Sequence, residues 1–292
     1  MSIENSEWLL ALVLIYALLI VVGRQRSLPL VALFTRWWRW LTFAFAVAYT
    51  LNWFMDGRQS FAVLLGTGLL IWPLLETIYN WVAVRALSRS SLPLFPRFSV
   101  NDAGDGWPAQ PDLLKVRTWI RQNGFKSLQN LRSELFEGFT LRTTVFSNEA
   151  QTLRLQVMFI PQKNGQIQPS YTFSSVGSED RRLITDNIQL PFGGFYPEGW
   201  QLSRHPLTRS PAVLLRRHQR RLALAGFEPL PQTGDPLEDI NEQQERLERL
   251  NTDLGFLFPR ALREEHGNIT REGCYRIWKE IWLINYFGIT VR

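Results

Sequence analysis

Three apolar stretches in the first 85 residues constrain the fold more than any other feature of this chain. They run over Trp8–Val22, Trp37–Met55 and Phe61–Val84, and short polar joints rich in arginine separate them. A helix that crosses a bilayer needs roughly 17–25 mainly apolar residues. We therefore expect a membrane anchor of three α-helices over residues 1–98, followed by a soluble domain.

The arginines of this region predict its orientation. They cluster in the joint between the first two stretches and after the third stretch, at Arg24, Arg26, Arg36, Arg39, Arg85, Arg89 and Arg97. Because positively charged flanks stay on the cytoplasmic side of a membrane, we expect the N-terminus outside and the C-terminal domain in the cytoplasm, with a bacterial inner membrane as the setting. The alternative is that the three stretches are buried helices of a large soluble core.

Glu76 is the ionisable residue inside the third stretch. An ionisable group within a membrane-spanning helix costs several kcal/mol when it is unpaired, so Glu76 is a candidate intramembrane functional residue. Alternatively, Glu76 lies near the inner interface and reaches water or an arginine. The other two stretches offer few ionisable partners, and we therefore do not expect ion transport.

The rest of the chain is typical of an α+β domain. Residues 99–111 are rich in Gly, Pro and Asp, which predicts a linker, and residues 112–292 form the predicted cytoplasmic domain. Apolar residues at helical spacing predict a helix over Asp112–Asn123, after which the period changes to two. Four strands of an antiparallel sheet are predicted, with a hairpin turn at Asn164-Gly165: Phe139–Ser147, Leu153–Ile160, Ser170–Val176 and Arg182–Leu190. A helical C-terminal half follows, with helices over Pro211–Ala225, Pro236–Thr252 and Arg271–Phe287.

An irregular segment between the predicted sheet and these helices is a candidate binding surface. It is rich in glycine, proline and aromatic residues and contains Phe192, Tyr196 and Trp200. Long loops without secondary structure often carry function, and aromatic side chains among glycines suit a binding surface. The alternative is that these rings only pack the loop onto the edge of the sheet.

Four arginines give the first C-terminal helix a basic face. Their spacing of i, i+1, i+4 and i+5 places Arg216, Arg217, Arg220 and Arg221 on one side of a helix. Near a cytoplasmic leaflet such a face is attracted to anionic headgroups by about 1 kcal/mol per residue. Two alternatives remain: the arginines pair with the acids of the next helix, or they bind an acidic protein partner.

The sequence contains no motif for catalysis, metal binding or cofactor binding. The three histidines lie in different predicted elements, and Cys274 is the single cysteine, so no cluster has the spacing of a metal site. No phosphate-binding glycine loop or nucleophile elbow is present, and we expect no cofactor. Much of the net charge of +6 lies in the first 99 residues, which argues against a nucleic-acid partner.

Three hypotheses for function follow. The first is a non-catalytic accessory, scaffold or interaction subunit that holds its domain at the inner membrane surface, in contact with lipids and with a protein partner or a second copy. The second is a small-ligand or lipid binder, which a concave pocket would favour. The third is an enzyme, which a carboxylate and a histidine converging in such a pocket would favour.

Overall fold

A computed structural model describes residues 3–26, 29–102, 104, 106–136, 138–161 and 165–290. In these residues the chain forms eight α-helices: α1 (Ile3–Arg26), α2 (Pro29–Phe54), α3 (Phe61–Ser88), α4 (Pro111–Gln122), α5 (Pro211–Leu224), α6 (Pro236–Asp253), α7 (Arg263–His266) and α8 (Arg271–Trp282). Seven strands accompany them: β1 (Ser99–Val100), β2 (Lys126–Phe136), β3 (Phe139–Ser147), β4 (Arg154–Pro161), β5 (Ile167–Val176), β6 (Arg182–Asp186) and β7 (Trp200–Arg204). A π-helical turn, Leu283–Phe287, continues α8.

The strands form one mixed sheet in the order β1-β2-β3-β4-β5-β6-β7. Neighbouring strands are antiparallel except for β6 and β7, which are parallel. The predicted four-stranded antiparallel sheet is therefore wrong. Strands β3 to β6 occupy the four predicted segments, and the sheet adds β1, β2 and β7. The hairpin turn at Asn164-Gly165 was predicted between the segments that form β4 and β5. Asn164 lies outside the described residues.

The missed strands lack a local hydrophobic signal. In β2 the buried side chains are Leu131 and Ser133, and the others are partly or fully exposed. Because one of these two inward positions is a serine, the sequence of β2 lacks the alternation of apolar and polar residues that predicts a half-buried strand. Strand β7 has five residues and returns beside β6 only after an irregular loop, and β1 has two residues.

Helices cover both faces of the sheet. On one face, α4 and α5 pack through Leu113, Ile120 and Leu214 against the inward side chains of β4 and β5. On the other face, Ile240 of α6 packs against Val145 in a smaller cluster. The sheet is thus the middle layer of the domain, with α4 and α5 on one face and α6 on the other.

A buried arginine joins that second face to α6. Arg154 of β4 donates to Asp239 Oδ2 at 2.7 Å and to the Gly234 carbonyl oxygen at 2.6 Å. A guanidinium that is removed from water needs partners of this kind, because an unpaired buried charge is strongly destabilising. The ion pair of Arg154 and Asp239 therefore allows α6 to cover this side of β4 without leaving a buried charge unpaired.

The predicted anchor of three spanning helices is also wrong. Among the helices that the structure describes, only α3 is long and apolar enough to cross a membrane. In the part of α1 whose side chains the structure describes, Glu7–Gly23 forms a shorter apolar helix, and α2 is interrupted by Arg36 and Arg39. Apolar composition over a stretch of sequence therefore overestimated the number of spanning helices.

The second half of α3 belongs to the hydrophobic core of the C-terminal half of the chain. Val84 lies in one buried cluster with Cys274 and Ile277 of α8. At the end of α3, the Ser88 hydroxyl donates to the Ile269 carbonyl oxygen at 2.9 Å. The predicted division into residues 1–98, 99–111 and 112–292 stays a prediction. One hydrophobic cluster contains residues of both α3 and α8, which lie on opposite sides of the predicted linker.

Close contacts join the three N-terminal helices to one another. Gly68 of α3 lies against α2, where an added Cβ would come within 2.6 Å of the Ala44 carbonyl oxygen. The Trp40 indole donates to the Leu69 carbonyl oxygen at 3.0 Å, and the Trp38 indole donates to Leu12 of α1 at 2.9 Å. These contacts fix which sides of the helices face inward, so the opposite sides remain uncovered.

Candidate functional site

A cavity of about 690 Å³ lies at the β7 edge of the sheet. Its walls are the irregular loop before β7, strand β7 itself, α8 and the residues that follow the π-helical turn. Four of the residues that the sequence singled out line it: Phe192, Tyr196, Trp200 and Arg217. The structure thus brings the aromatic loop together with one arginine of the basic face.

Two polar side chains from neighbouring helices hold the loop in place. Glu280 of α8 is buried, and its Oε2 accepts hydrogen bonds from the backbone amides of Phe192, at 2.7 Å, and Gly193. Asn251 of α6 accepts from the Phe195 amide at 2.8 Å and donates to the Phe195 carbonyl oxygen at 2.9 Å. Burial raises the pKa of the Glu280 carboxyl above its ordinary value. The loop is therefore held by specific hydrogen bonds as well as by its rings.

Gly193 allows the loop to approach α8 closely. Its φ is +65°, and an added Cβ would lie 2.7 Å from the backbone carbon of Arg276. Arg276 in turn donates from Nε to the Gly193 carbonyl oxygen at 2.7 Å, and its guanidinium lies 4.0 Å from the centre of the Phe195 ring. A residue with a side chain would be strained here and would push the loop away from the helix.

A buried ion pair contributes one partner, Arg204, to the lining of the cavity. Asp186 of β6 and Arg204 of β7 are direct partners in the parallel strand pair, and two hydrogen bonds of 2.9 and 3.1 Å join them. Arg204 also donates to the Tyr196 hydroxyl at 3.3 Å. Burial raises the pKa of Tyr196 to about 12, so its hydroxyl stays protonated. Arg204 is matched by Asp186 and adds no net charge to the cavity.

The four arginines of the predicted basic face have different surroundings. Arg221 donates to the carbonyl oxygens of Ile184 and Gln201, at 2.6 and 2.8 Å, and ties α5 to the sheet. Arg217 donates to the Thr208 hydroxyl at 3.0 Å and lines the cavity. Two further arginines of this face are exposed, Arg216 and Arg220.

The ion pairs described for the acids of α6 involve arginines outside α5. Asp239 is paired with Arg154 and Arg182, at 2.7 and 2.6 Å. Glu248 is paired with Arg260 and Arg263, at 3.0 and 2.8 Å. The acidic side of α6 is therefore neutralised from the sheet and from the segment around α7.

Glu76 has partners from three elements. Its carboxylate lies 3.7 Å from Arg39 of α2, accepts from the Trp72 indole at 2.9 Å and contacts the Tyr286 hydroxyl. The side chain is only 10% exposed. The structure thus places Glu76 beside an arginine, at the junction of α2, α3 and the π-helical turn Leu283–Phe287.

The remaining chemically active side chains lie apart from the cavity or serve the fold. His218 is fully buried between the hydroxyls of Ser175 and Thr185, at 3.2 and 3.0 Å, and burial lowers its pKa to about 3. Cys274 is buried, and burial raises its pKa. Within the described ranges, no group of three or more His, Cys, Asp or Glu side chains could hold a metal ion.

Sequence reasoning missed four charged residues of the site. Arg276 and Glu280 are four residues apart on α8, and this spacing places them on one helix face. That signal was present in the sequence. Asp186 and Arg204 meet only because β7 pairs with β6, and no local pattern reveals that pairing.

We compared the chain with known proteins. No protein-family model, no curated protein and no solved structure matches it.

Proposed function

We propose that this is a membrane-associated accessory or interaction protein without catalytic activity, which buries the exposed side of α3 in lipid. The observation that supports this is a stripe of apolar side chains along α3. Leu70, Leu74, Ile78 and Val82 are spaced four residues apart, and each is between 57% and 71% exposed. At 1.5 Å per residue the stripe extends over about 18 Å of helix.

A second stripe lies on α1. Leu10, Leu14 and Leu18 are again four residues apart, and all three are more than half exposed. Apolar surface in water costs about 25 cal/mol per Å², and soluble monomers rarely expose large contiguous apolar patches. Lipid chains would cover both stripes at once, which is why we favour a bilayer over a single protein partner.

The proposed orientation depends on the ends of α3. Arg85 and Arg89 lie at its C-terminal end, whereas Asp56 and Arg58 precede its N-terminal end. By the positive-inside rule this places the sheet on the cytoplasmic side, in a bacterial-type inner membrane. The domain would then be held at the inner surface, where a protein partner or a second copy could bind it.

A matched pair of variants tests the proposal. Leu70→Gln, Leu74→Gln and Ile78→Gln together would make the α3 stripe polar without touching buried positions. The control changes two apolar residues of the sheet domain that are about half exposed, Leu230→Gln and Leu254→Gln. We expect the unmodified chain and the control to stay in the membrane pellet after an alkaline carbonate wash, and the stripe variant to be released. Recovery of the unmodified chain as a monodisperse soluble protein without detergent would contradict the proposal.

A second candidate function is the binding of a small ligand. The observation that favours it is the meeting of Phe192, Tyr196, Trp200 and Arg217 around one cavity, whose volume lies in the usual range of ligand sites. Native mass spectrometry of the full chain in mild detergent separates the candidates. A retained small molecule would favour ligand binding, and a stoichiometric protein partner would favour the accessory role.

The same cavity gives weaker support to an enzyme. His205 and Glu280 both line it. The Glu280 carboxylate, however, accepts two backbone amides of the loop, and the His205 Nε2 lies 3.2 Å from the Ser203 hydroxyl. A carboxylate that holds the loop in this way is poorly suited to accept a substrate proton, and we propose no reaction.

A further inference from the structure

The lining of the cavity at the β7 edge combines aromatic rings with cationic side chains. Phe192, Phe195 and Tyr196 supply rings, and Arg217 and Arg276 supply positive charge. The Arg276 guanidinium lies 4.0 Å from the centre of the Phe195 ring, so charge and aromatic surface are adjacent in the lining. A ligand that fills this space must therefore offer apolar surface together with a group that complements positive charge.

The charges around the cavity do not cancel. Glu280 is the one acidic residue in its described lining, and its carboxylate is already held by two amides of the loop. Arg204 is matched by Asp186. Neither Arg217 nor Arg276 forms an ion pair with a carboxylate of the described residues, so these two positive charges outnumber the single carboxylate of Glu280.

The two arginines are also placed to bind a ligand. The Arg276 guanidinium lies 4.0 Å from the centre of the Phe195 ring and donates from Nε to the Gly193 carbonyl oxygen, so two contacts hold it in position. Arg217 is anchored by a single hydrogen bond to the Thr208 hydroxyl. A guanidinium binds carboxylate and phosphate groups through paired, charge-assisted hydrogen bonds.

We infer that this cavity binds a small organic anion with an apolar portion, in which a phosphate or carboxylate contacts Arg217 and Arg276 and the apolar portion contacts the aromatic rings of the lining. This inference rests on the ligand-binding function proposed above. Two sources offer this chemistry, a lipid headgroup and a soluble metabolite. A lipid is one of them because Gly288 to Thr290, which complete the cavity lining, directly follow a turn that packs against the N-terminal helix α2.

Four short probes test the charge preference. Hexyl phosphate carries both portions of the inferred ligand, inorganic phosphate carries only the anion, and hexanol and hexylammonium carry the same chain without the negative charge. Titration calorimetry on the detergent-purified full chain at low salt should show hexyl phosphate binding at least tenfold tighter than any other probe. Equal binding of hexanol or hexylammonium would overturn the inferred ligand class and leave a ligand site in place. Binding of none of the probes would overturn the ligand class and the ligand-binding function together.

The arginines of α5 provide a matched control. Arg217→Gln should weaken hexyl phosphate binding at least tenfold, whereas Arg216→Gln, which removes an exposed charge outside the cavity lining, should change it less than twofold. Equal effects of the two variants would show that the attraction is nonspecific and would overturn the assignment of Arg217. Both positions are exposed, so neither substitution is expected to disturb the fold.

Native mass spectrometry distinguishes the two sources of the anion. Retention of an anionic phospholipid by the full chain, and its loss in Arg217→Gln, would identify a lipid headgroup. Retention of a soluble organic anion with the same dependence would identify a metabolite. Retention of a neutral or cationic molecule that Arg217→Gln leaves bound would contradict the inference.

Discussion

His218 should make the stability of this protein fall as the solution becomes acidic. The imidazole is fully buried, it lies against the hydroxyls of Ser175 and Thr185, and its pKa in the folded chain is about 3. In the unfolded chain an ordinary histidine has a pKa of about 6.5. Below that pH the unfolded chain takes up a proton that the folded chain excludes. The stabilisation is therefore complete above pH 6.5 and is lost progressively as the pH falls toward 3.

The size of the effect follows from that difference in pKa. Each unit of pH below 6.5 costs about 1.4 kcal/mol while the folded histidine stays neutral, so the loss between pH 7.5 and pH 5.0 is about 2 kcal/mol. For a chain of this length, 1 kcal/mol corresponds to roughly 2–4 °C in the unfolding midpoint. Acidification over this range should lower the midpoint by roughly 4–8 °C through His218 alone.

Comparison of two histidine variants isolates this contribution from other titrating groups. Thermal unfolding of the full chain in detergent would be followed at pH 7.5 and pH 5.0 for the unmodified protein, His218→Gln and His266→Gln. His266 is partly exposed and serves as the control. We expect His218→Gln to be less stable at pH 7.5, because it loses packing and hydrogen bonds, but to be less sensitive to pH than the other two. Parallel changes with pH in all three proteins would refute the reasoning.

Two further predictions concern charged residues of the sheet edge and of α5. Asp186→Asn leaves Arg204 buried without a carboxylate, which should cost about 3–5 kcal/mol and lower the unfolding midpoint by roughly 6–20 °C; a shift within experimental error would mean that the pair is not buried in solution. Changing Arg216 and Arg220 together to Gln should lower the preference of the detergent-purified full chain for an anionic over a zwitterionic phospholipid by about 1 kcal/mol per residue, as measured by competitive lipid binding in native mass spectrometry. An unchanged preference would exclude a contact between these arginines and headgroups.

Local patterns predicted much of the domain. The alternation of apolar residues over Phe139–Ser147 predicted β3 with its observed ends. The last helix begins at Arg271, as its pattern predicted, and the Thr270 hydroxyl caps it by accepting from the Gly273 amide at 3.1 Å. Such features succeed because the residues that determine them lie within a few positions of one another.

Features that depend on distant segments could not be predicted in this way. Strand β7 pairs in parallel with β6, and the ion pair of Asp186 and Arg204 exists only through that pairing. The apolar length of the N-terminal stretches likewise gave no sign that Val84 would pack in one cluster with Ile277. An apolar run identifies residues that avoid water, but it does not distinguish a lipid contact from a contact with another helix.

The two proposed functions meet in one short segment near the end of the chain. The Trp37 indole of α2 donates to the Tyr286 carbonyl oxygen at 2.9 Å, and the Tyr286 hydroxyl contacts Glu76 of α3. Two residues later, Gly288 forms part of the cavity wall and lies so close to Leu207 that an added Cβ would come within 2.4 Å of its side chain. Tyr286 is buried, so a segment of two residues connects the packing of α2 and α3 with the cavity wall. A change in how α2 and α3 pack would therefore be expected to reach the ligand cavity, and a bound anion would be expected to favour one packing of these helices.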